Sequence, residues 1–258
     1  MTEIGAIHVP DPGLSRWQLL RSSCPANAFS LTGVIHTLSS SDVISELERL
    51  FLSPLCSWDA LVCTSTAGRD VVTAVFQSFH QYLESHFSCS ITKRDGLQLP
   101  IIPLAVSDPL PETIGFDSDR RLLRCQSRKT LQIDQSAFVI LFVGRLSFHS
   151  KSHPLPLYRA LNRLSAENPG RPIVLLECGH IFNHPIEIAY QELARQFSHL
   201  SIHRLGGLEP ATEQEKRNAF AAADVFVSLA DNLQETFGLS IIEAMAASLP
   251  VISTDWNG

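Results

Sequence analysis

Residues 224–253 read DVFVSLADNLQETFGLSIIEAMAASLPVIS, which is a strand–helix–strand pattern. Two apolar runs, 224–229 and 250–253, flank a segment of helical periodicity at 239–248. Neither run alternates with polar residues, so each predicts a strand that is buried on both faces, as in a parallel sheet. The stretch therefore indicates a right-handed β-α-β unit.

The same alternation extends back to residue 138 and predicts a doubly wound parallel sheet. Further strands are predicted at 138–143, 173–176 and 200–205, and further helices at 155–168, 186–198 and 213–222. Thr212 and Glu215 have the spacing of a capping box at the start of the last of these helices.

The first half of the chain has a similar but less regular pattern. It predicts strands at 30–38, 60–64 and 99–106, and helices at 42–51 and 69–87. A proline-rich stretch and a polar, arginine-rich segment follow. We therefore predict an α/β protein with a first domain at 1–115, a linker at 116–135 and a second domain at 136–258.

Composition narrows the classes of partner and compartment. The net charge is −6 and the pI about 5.9, which argues against nucleic acid as a partner. None of the six cysteines forms a CxxC pair, so we expect reduced thiols. No apolar stretch approaches the roughly 18–20 residues of a transmembrane helix, and no signal peptide is apparent. These features predict a cytoplasmic protein, with peripheral membrane association as a further option.

The turn before the helix at 239–248 is the first candidate ligand site. It follows a predicted parallel strand, and α/β folds bind ligands at the carboxyl ends of such strands. Gly238 allows a close approach of the backbone, and the unpaired N–H groups of the next helix, from Leu239, attract anions.

Two carboxylates flank this turn. Glu243 lies among apolar residues, where an ionised carboxylate needs a hydrogen-bonding partner. Ribose hydroxyls are one candidate, and the alternative is a core carboxylate held by a backbone or arginine partner. Glu235, eight positions earlier, is by itself a surface loop acid, but the spacing brings both carboxylates to one helix end.

Gly144, Arg145 and Lys151 form the second candidate site, at the end of the strand 138–143. An arginine fork and a lysine point charge together suit a diphosphate. The alternative is a solvated basic loop. His149 with His153 and His180 with His184 are spaced four apart, but a proline follows each pair and no acidic ligand pattern accompanies them, so we predict no metal site.

These elements occur together in the order and spacing of retaining glycosyltransferase family 4, also called group 1, which residues 138–258 resemble. The resemblance rests on Gly144-Arg145…Lys151, the run 223–228, Glu235-x7-Glu243 and the segment 246–252. The first half resembles the acceptor-side domain of this family more weakly, through 33–36, 58–65 and 99–106.

The resemblance implies a GT-B-like fold of two Rossmann-like domains with parallel sheets. It also implies a nucleotide-diphosphate sugar as donor, a sugar, lipid or other small molecule as acceptor, and no required metal or cofactor. Its residue assignments concern the donor. Arg145 and Lys151 would neutralise the diphosphate, Glu243 would bind the ribose, Glu235 and His36 would lie beside the transferring sugar, and the backbone at Phe237, Gly238 and Leu239 would bind phosphate or sugar hydroxyls.

The chain departs from the family pattern in three ways. Ser152 and Ser248 stand where the family usually has glycine. The sequence stops just after a predicted strand, and no counterpart of the family's opening strand is expected before Leu31, so both domains are expected to be incomplete. Three functions stay open: an active retaining glycosyltransferase, a catalytically inactive nucleotide-sugar-binding fragment, and another GT-B enzyme such as a sugar-nucleotide epimerase.

Overall fold

The computed structural model describes residues 5–25, 27–92, 96–110, 117–148, 150–232 and 235–255. The chain divides into two compact units. The first unit contains the described residues up to 104 together with 235–237, and the second contains 105–232 together with 238–255. No helix among the described residues is both long enough and apolar enough to cross a membrane.

The first unit is a three-stranded parallel sheet, in the order β1-β2-β3, with helices between the strands. Its elements are β1 (Ala6–His8), α1 (Leu14–Arg21), β2 (Ser30–Ile35), α2 (Ser41–Leu52), β3 (Ala60–Cys63) and α3 (Thr66–Phe87). The predicted strands and helices at 30–38, 42–51, 60–64 and 69–87 are confirmed, with boundaries shifted by up to three residues. Ser40 and Ser65 cap α2 and α3 by accepting hydrogen bonds from backbone N–H groups, which fixes where these helices begin.

Two elements of the first unit were not expected. β1 lies before Leu31, where no opening strand was predicted, and it pairs in parallel with β2. α1 lacks a recognisable apolar stripe, because the side chains it buries include Gln18 and Arg21. Arg21 is buried because it forms a bidentate ion pair with Asp59, at 2.7 and 2.6 Å.

The strand predicted at 99–106 is wrong as a regular strand. Gln98 and Ile101 form isolated parallel bridges to β3, and no continuous strand follows them. Pro100 and Pro103 lack the N–H groups that a regular ladder requires.

The second unit is a five-stranded parallel sheet in the order β6-β5-β4-β7-β8. Its strands are β4 (Phe138–Leu146), β5 (Ile173–Ile181), β6 (Ser201–Leu205), β7 (Val225–Ser228) and β8 (Val251–Ser253). Its helices are α4 (Asp117–Thr130), α5 (Leu155–Glu167), α6 (His184–Ala194), α7 (Glu213–Ala222) and α8 (Leu239–Ala246). All five predicted strands, all four predicted helices and the Thr212–Glu215 capping box are confirmed.

The two faces of this sheet carry different helices. On one face Leu141, Cys178, Phe220 and Ala244 belong to a core that includes α7 and α8. The other face packs against α5 and α6. Because every strand pair is parallel, all five strands end at one edge of the sheet, which we call the carboxyl edge.

Residues 117–130 lie in the predicted linker, but they form α4, which belongs to the second unit. Arg128 of α4 is fully buried and donates to Asp224 at 2.8 Å and to the carbonyl of Ala222 at 3.0 Å. Arg124 also donates to Asp224. The polar character that suggested a linker therefore reflects buried ion pairs that hold this helix beside β7.

Candidate functional site

Residues from neighbouring strands meet at the carboxyl edge of the second unit. β4, which carries Gly144 and Arg145, lies beside β7, and the chain leaves β7 toward the turn at Gly238. Both predicted anion-binding elements of this unit therefore lie at the same edge of one sheet. This is the place where open α/β sheets bind their ligands.

Lys151 folds back over the end of β4. A Cβ atom on Gly144 would lie 2.9 Å from Lys151 Cε, and Gly144 has φ +153°, a backbone conformation that favours glycine. Asn232, in the loop after β7, donates a hydrogen bond to the Lys151 carbonyl at 2.5 Å. The lysine segment is thus attached both to β4 and to the loop that leads toward α8.

Arg145 lies on the face of the sheet that packs against α7 and α8. Residues two apart on a strand point to the same face, so Arg145 shares a face with Leu141 and Val143, which belong to that core. Leu146 packs on the opposite face. Its side chain is exposed. On the neighbouring strand β5, His180 pairs with Arg145 and lies on the same face of the sheet. The sequence patterns did not predict that these two residues are adjacent.

The amino end of α8 is one of the two predicted anion-binding elements. Gly238, its N-cap, has φ +80° and ψ 39°, a left-handed conformation that favours glycine. The N-cap has no side chain, so the first N–H groups of α8 have no side-chain cap. Leu239 follows with 40% of its surface exposed. This geometry suits an anion.

The structure shows how the chain accommodates Ser248, one of its departures from the family pattern. α8 ends in a Schellman motif, in which Leu249 N donates to Ala244 O and Ser248 N donates to Met245 O, both at 2.9 Å. Ser248 occupies the left-handed position of this motif, with φ +58°. A glycine would adopt this conformation without strain, so the serine retains the turn at some energetic cost. The other departure from the family pattern is Ser152, which follows Lys151 in the sequence and is buried in the structure.

Glu243 is only 13% exposed and has a cationic partner. Lys216 Nζ of α7 donates to Glu243 Oε1 at 2.7 Å. The sequence left open a ribose or a core partner for this carboxylate, and the structure supplies a lysine partner rather than a backbone group or an arginine. Protein groups alone therefore account for the charge of Glu243. Sequence reasoning missed Lys216 because the two residues lie 27 positions apart.

Cys178 lies on the same face of β5 and is buried in the core that includes α7 and α8. Burial raises the pKa of the Cys178 thiol to about 12; Glu215 acts in the same direction, Lys216 opposes it, and Glu213 and Glu243 add smaller increases. Cys178 is therefore a neutral thiol.

Two further glycines shape the carboxyl edge. A Cβ atom on Gly179 would lie 1.8 Å from the Gly144 carbonyl oxygen, and one on Gly206 would lie 2.1 Å from the Gly179 carbonyl oxygen. The ends of β4 and β5 and the residue after β6 therefore approach too closely for any side chain. The sequence shows a glycine near the end of each of these strands. Only the strand register shows that Gly144, Gly179 and Gly206 are adjacent.

The remaining predicted residues belong to the first unit. His36 follows the end of β2 and is exposed, and Glu235 and Phe237 are half-buried. The hydroxyl of Thr236 donates to the His36 carbonyl at 3.3 Å, and the hydroxyl of Thr64 donates to the Thr236 carbonyl at 3.2 Å. Within this unit, residues 235–237 thus lie against the ends of β2 and β3.

No group of three or more histidine, cysteine or acidic side chains suited to a metal ion occurs in the described part of the chain. His153 Nδ1 accepts from Leu155 N, and His184 contacts Glu187 at 3.1 Å. His149 lies outside the described residues. The absence of a metal requirement stays a prediction.

Residues 137–258 match the protein-family model described as "Glycosyl transferases group 1". The chain is 32% identical to the D-inositol 3-phosphate glycosyltransferase of Corynebacterium diphtheriae over 134 residues, which are 52% of this chain and 30% of that protein. It is 34% identical to the protein of the same name from Corynebacterium urealyticum over 158 residues, 60% of this chain and 36% of that protein. The chain thus spans about a third of the length of these curated relatives.

A UDP-forming α,α-trehalose-phosphate synthase from Burkholderia xenovorans is similar in structure, with a TM-score of 0.58 and 15% identity. The similarity covers 98% of this chain and 59% of that chain. At this identity the comparison concerns the fold alone. Together with the two parallel sheets, it confirms the predicted α/β, GT-B-like fold.

Proposed function

We propose, on the premise that residues 137–258 are a group 1 glycosyltransferase domain, that this chain transfers a sugar from a nucleotide-diphosphate sugar to an acceptor with retention of configuration. One observation carries the proposal: the lysine segment at the end of β4 and the amino end of α8 lie at the same carboxyl edge. This edge offers cations and the N–H groups of a helix start to one anionic ligand.

The main catalytic task is to stabilise the negative charge that grows on the leaving nucleoside diphosphate. Arg145 supplies a planar fork and Lys151 a point charge for the diphosphate oxygens. The first N–H groups of α8 supply further donors and the positive end of the helix dipole. Because these groups provide positive charge, we propose that transfer requires no metal ion.

Glu243 is the proposed ribose ligand, with its second oxygen accepting from the hydroxyls. The backbone at Phe237, Gly238 and Leu239 is proposed to donate to phosphate or sugar oxygens. We assign His36 and Glu235 to the transferring sugar, on the resemblance of their sequence contexts to the family. The acceptor is proposed to be a sugar, a lipid or another small molecule.

Calorimetric titration of the purified chain with UDP, GDP and ADP tests the donor site. We expect one of them to bind, and we expect Arg145→Met to weaken that binding about 10- to 100-fold, the loss of one or two hydrogen bonds to a charge. Arg163→Met is the matched control, because Arg163 lies on α5 with its side chain 81% exposed. Failure of all three nucleotides to bind would overturn the proposal.

Incubation with radiolabelled sugar nucleotides tests transfer itself. Potential acceptors include D-inositol 3-phosphate, because the relatives carry that name. We expect release of nucleoside diphosphate with formation of a product that keeps the anomeric configuration of the donor. Inversion at the anomeric carbon would contradict the retaining mechanism, and binding without turnover would contradict transfer by this chain.

A further inference from the structure

We infer that Lys216 is a positioning residue for the nucleotide: it holds one oxygen of Glu243 so that the other oxygen accepts from the ribose hydroxyls. This inference rests on the proposed function and adds a residue to it. The observation behind it is the 2.7 Å hydrogen bond from Lys216 Nζ to Glu243 Oε1.

The contact leaves half of the carboxylate available. An ionised carboxylate has two oxygens and about four acceptor sites. Within the described residues, Lys216 is the one group that hydrogen bonds to the Glu243 carboxylate, and its bond is to Oε1. Oε2 therefore keeps its accepting capacity for a ligand that reaches the carboxyl edge.

The surroundings explain why Glu243 needs a cation to stay in place. Its neighbour Ala244 is fully buried in the core, and Cys178 and Ala219 belong to the same cluster. Glu213 and Glu215 lie in the first turn of α7, the helix that also carries Lys216. Without Lys216, the partly buried carboxylate would lose its cationic partner and would favour other rotamers, which would not present the same acceptor to the ribose.

Lys216 is itself held on a rigid element. The Thr212–Glu215 capping box fixes the start of α7, and Ala219 and Phe220 bury the same helix against the sheet. A ligand-orienting residue needs this kind of support, because loosely held side chains orient poorly. The lysine is 27% exposed and the glutamate 13%, so the pair is partly buried.

The test compares ligands that differ only in the ribose. Affinities of the wild-type chain are measured for inorganic pyrophosphate, for UDP, GDP and ADP, and for the 2′,3′-dideoxy analogue of whichever diphosphate binds. We expect the wild type to prefer the ribose form. Lys216→Met is expected to weaken binding of that form about 10-fold, the partial loss of a charged hydrogen bond, and to leave pyrophosphate affinity unchanged.

Two further variants separate positioning from a general structural effect. Lys216→Arg keeps the charge and is expected to retain the preference for the ribose form. Lys129→Met removes an exposed lysine from α4 and is expected to change neither affinity. Thermal melts of Lys216→Met and Lys216→Arg establish that both variants are folded at the temperature of the binding measurements.

Each outcome has a distinct meaning. If Lys216→Met keeps the full preference for the ribose form, or loses pyrophosphate affinity equally, the positioning role is refuted while nucleotide binding stands. If the wild type binds the ribose and dideoxy forms equally, Glu243 does not read the ribose and the inference fails with it. If the wild type binds no diphosphate at all, the proposed function itself fails.

Discussion

Asp59→Asn removes the negative charge from the most buried ion pair of the first unit. Asp59 is fully buried and Arg21 is 3% exposed. The aspartate accepts from Arg21 at 2.7 and 2.6 Å, and also from Leu31 N at 2.8 Å and Cys56 N at 2.7 Å. Four donors from α1, β2 and the loop before β3 therefore converge on one carboxylate.

The expected cost follows from what the asparagine leaves behind. Its amide nitrogen replaces one oxygen and faces donors, so at least one buried N–H loses its acceptor. Arg21 keeps its positive charge without a counter-charge. Removing one partner of a buried pair typically costs about 3–5 kcal/mol, and we expect Asp59→Asn to lower the free energy of unfolding of the first unit by this amount. That is a large fraction of the roughly 5–15 kcal/mol that stabilises a typical domain.

Urea unfolding followed by tryptophan fluorescence measures this loss. Trp17 lies on α1 four residues before Arg21, and Trp58 directly precedes Asp59. Both variants are made in a Trp256→Phe background, which removes the third tryptophan. Asp70→Asn is the matched control, because the same substitution is made on α3 at a side chain that is 67% exposed. Equal midpoints for the two variants would refute the reasoning.

A double variant tests the cause of the loss. Arg21→Met combined with Asp59→Asn removes the uncompensated charge, so we expect it to be more stable than Asp59→Asn alone. Strict additivity of the two single losses would show that the pair is not coupled, and it would contradict the electrostatic explanation.

Four other predictions concern particular side chains. Burial raises the pKa of Asp59, but hydrogen bonds from its partners outweigh burial and hold this pKa below its ordinary value of about 3.9. The contribution of Asp59 to the free energy of unfolding should therefore be complete above about pH 4 and should disappear as pH falls through the lower folded pKa. Acid titration followed by fluorescence would show this loss, and Asp59→Asn would abolish the pH dependence. Gly179→Ala should destabilise the second unit by about 3 kcal/mol or more in thermal melts, since its Cβ would meet a carbonyl oxygen at 1.8 Å, whereas Gly170→Ala, with no atom within 4 Å, should not. Ser248→Gly should raise the free energy of unfolding by about 0.5–1 kcal/mol by relieving φ +58°, and a lower midpoint would count against this strain. Glu243→Ala should weaken nucleoside-diphosphate binding by about 1.5–3 kcal/mol in calorimetry, and unchanged affinity would remove Glu243 from the proposed site.

The strand–helix order of the second unit could be predicted from local patterns. Apolar runs without alternation located all five strands, because both faces of a central parallel strand are buried. The capping box at Thr212 and Glu215 located the start of α7 to the residue, since its hydrogen bonds span only three positions. The turn at Gly238 was likewise visible as a glycine between a strand and a helix.

Local patterns failed where burial depends on a distant partner. α1 buries Arg21 against Asp59, which lies 38 positions away, so its buried face looked polar. α4 looked like a linker because its arginines find Asp224 only in the folded unit, 96 positions after Arg128. In both helices an arginine would be expected on the surface, but an ion pair with a distant aspartate allows it to be buried.

The sequence by itself determined the α/β class, the order of elements and the candidate anion site, because each depends on residues that are close along the chain. Tertiary structure alone decided that Lys216 is the partner of Glu243, that His180 lies beside Arg145, and that Gly179 meets Gly144. Strand order and register bring these residues together. Both depend on packing between segments that are far apart in the sequence, so local patterns cannot predict them.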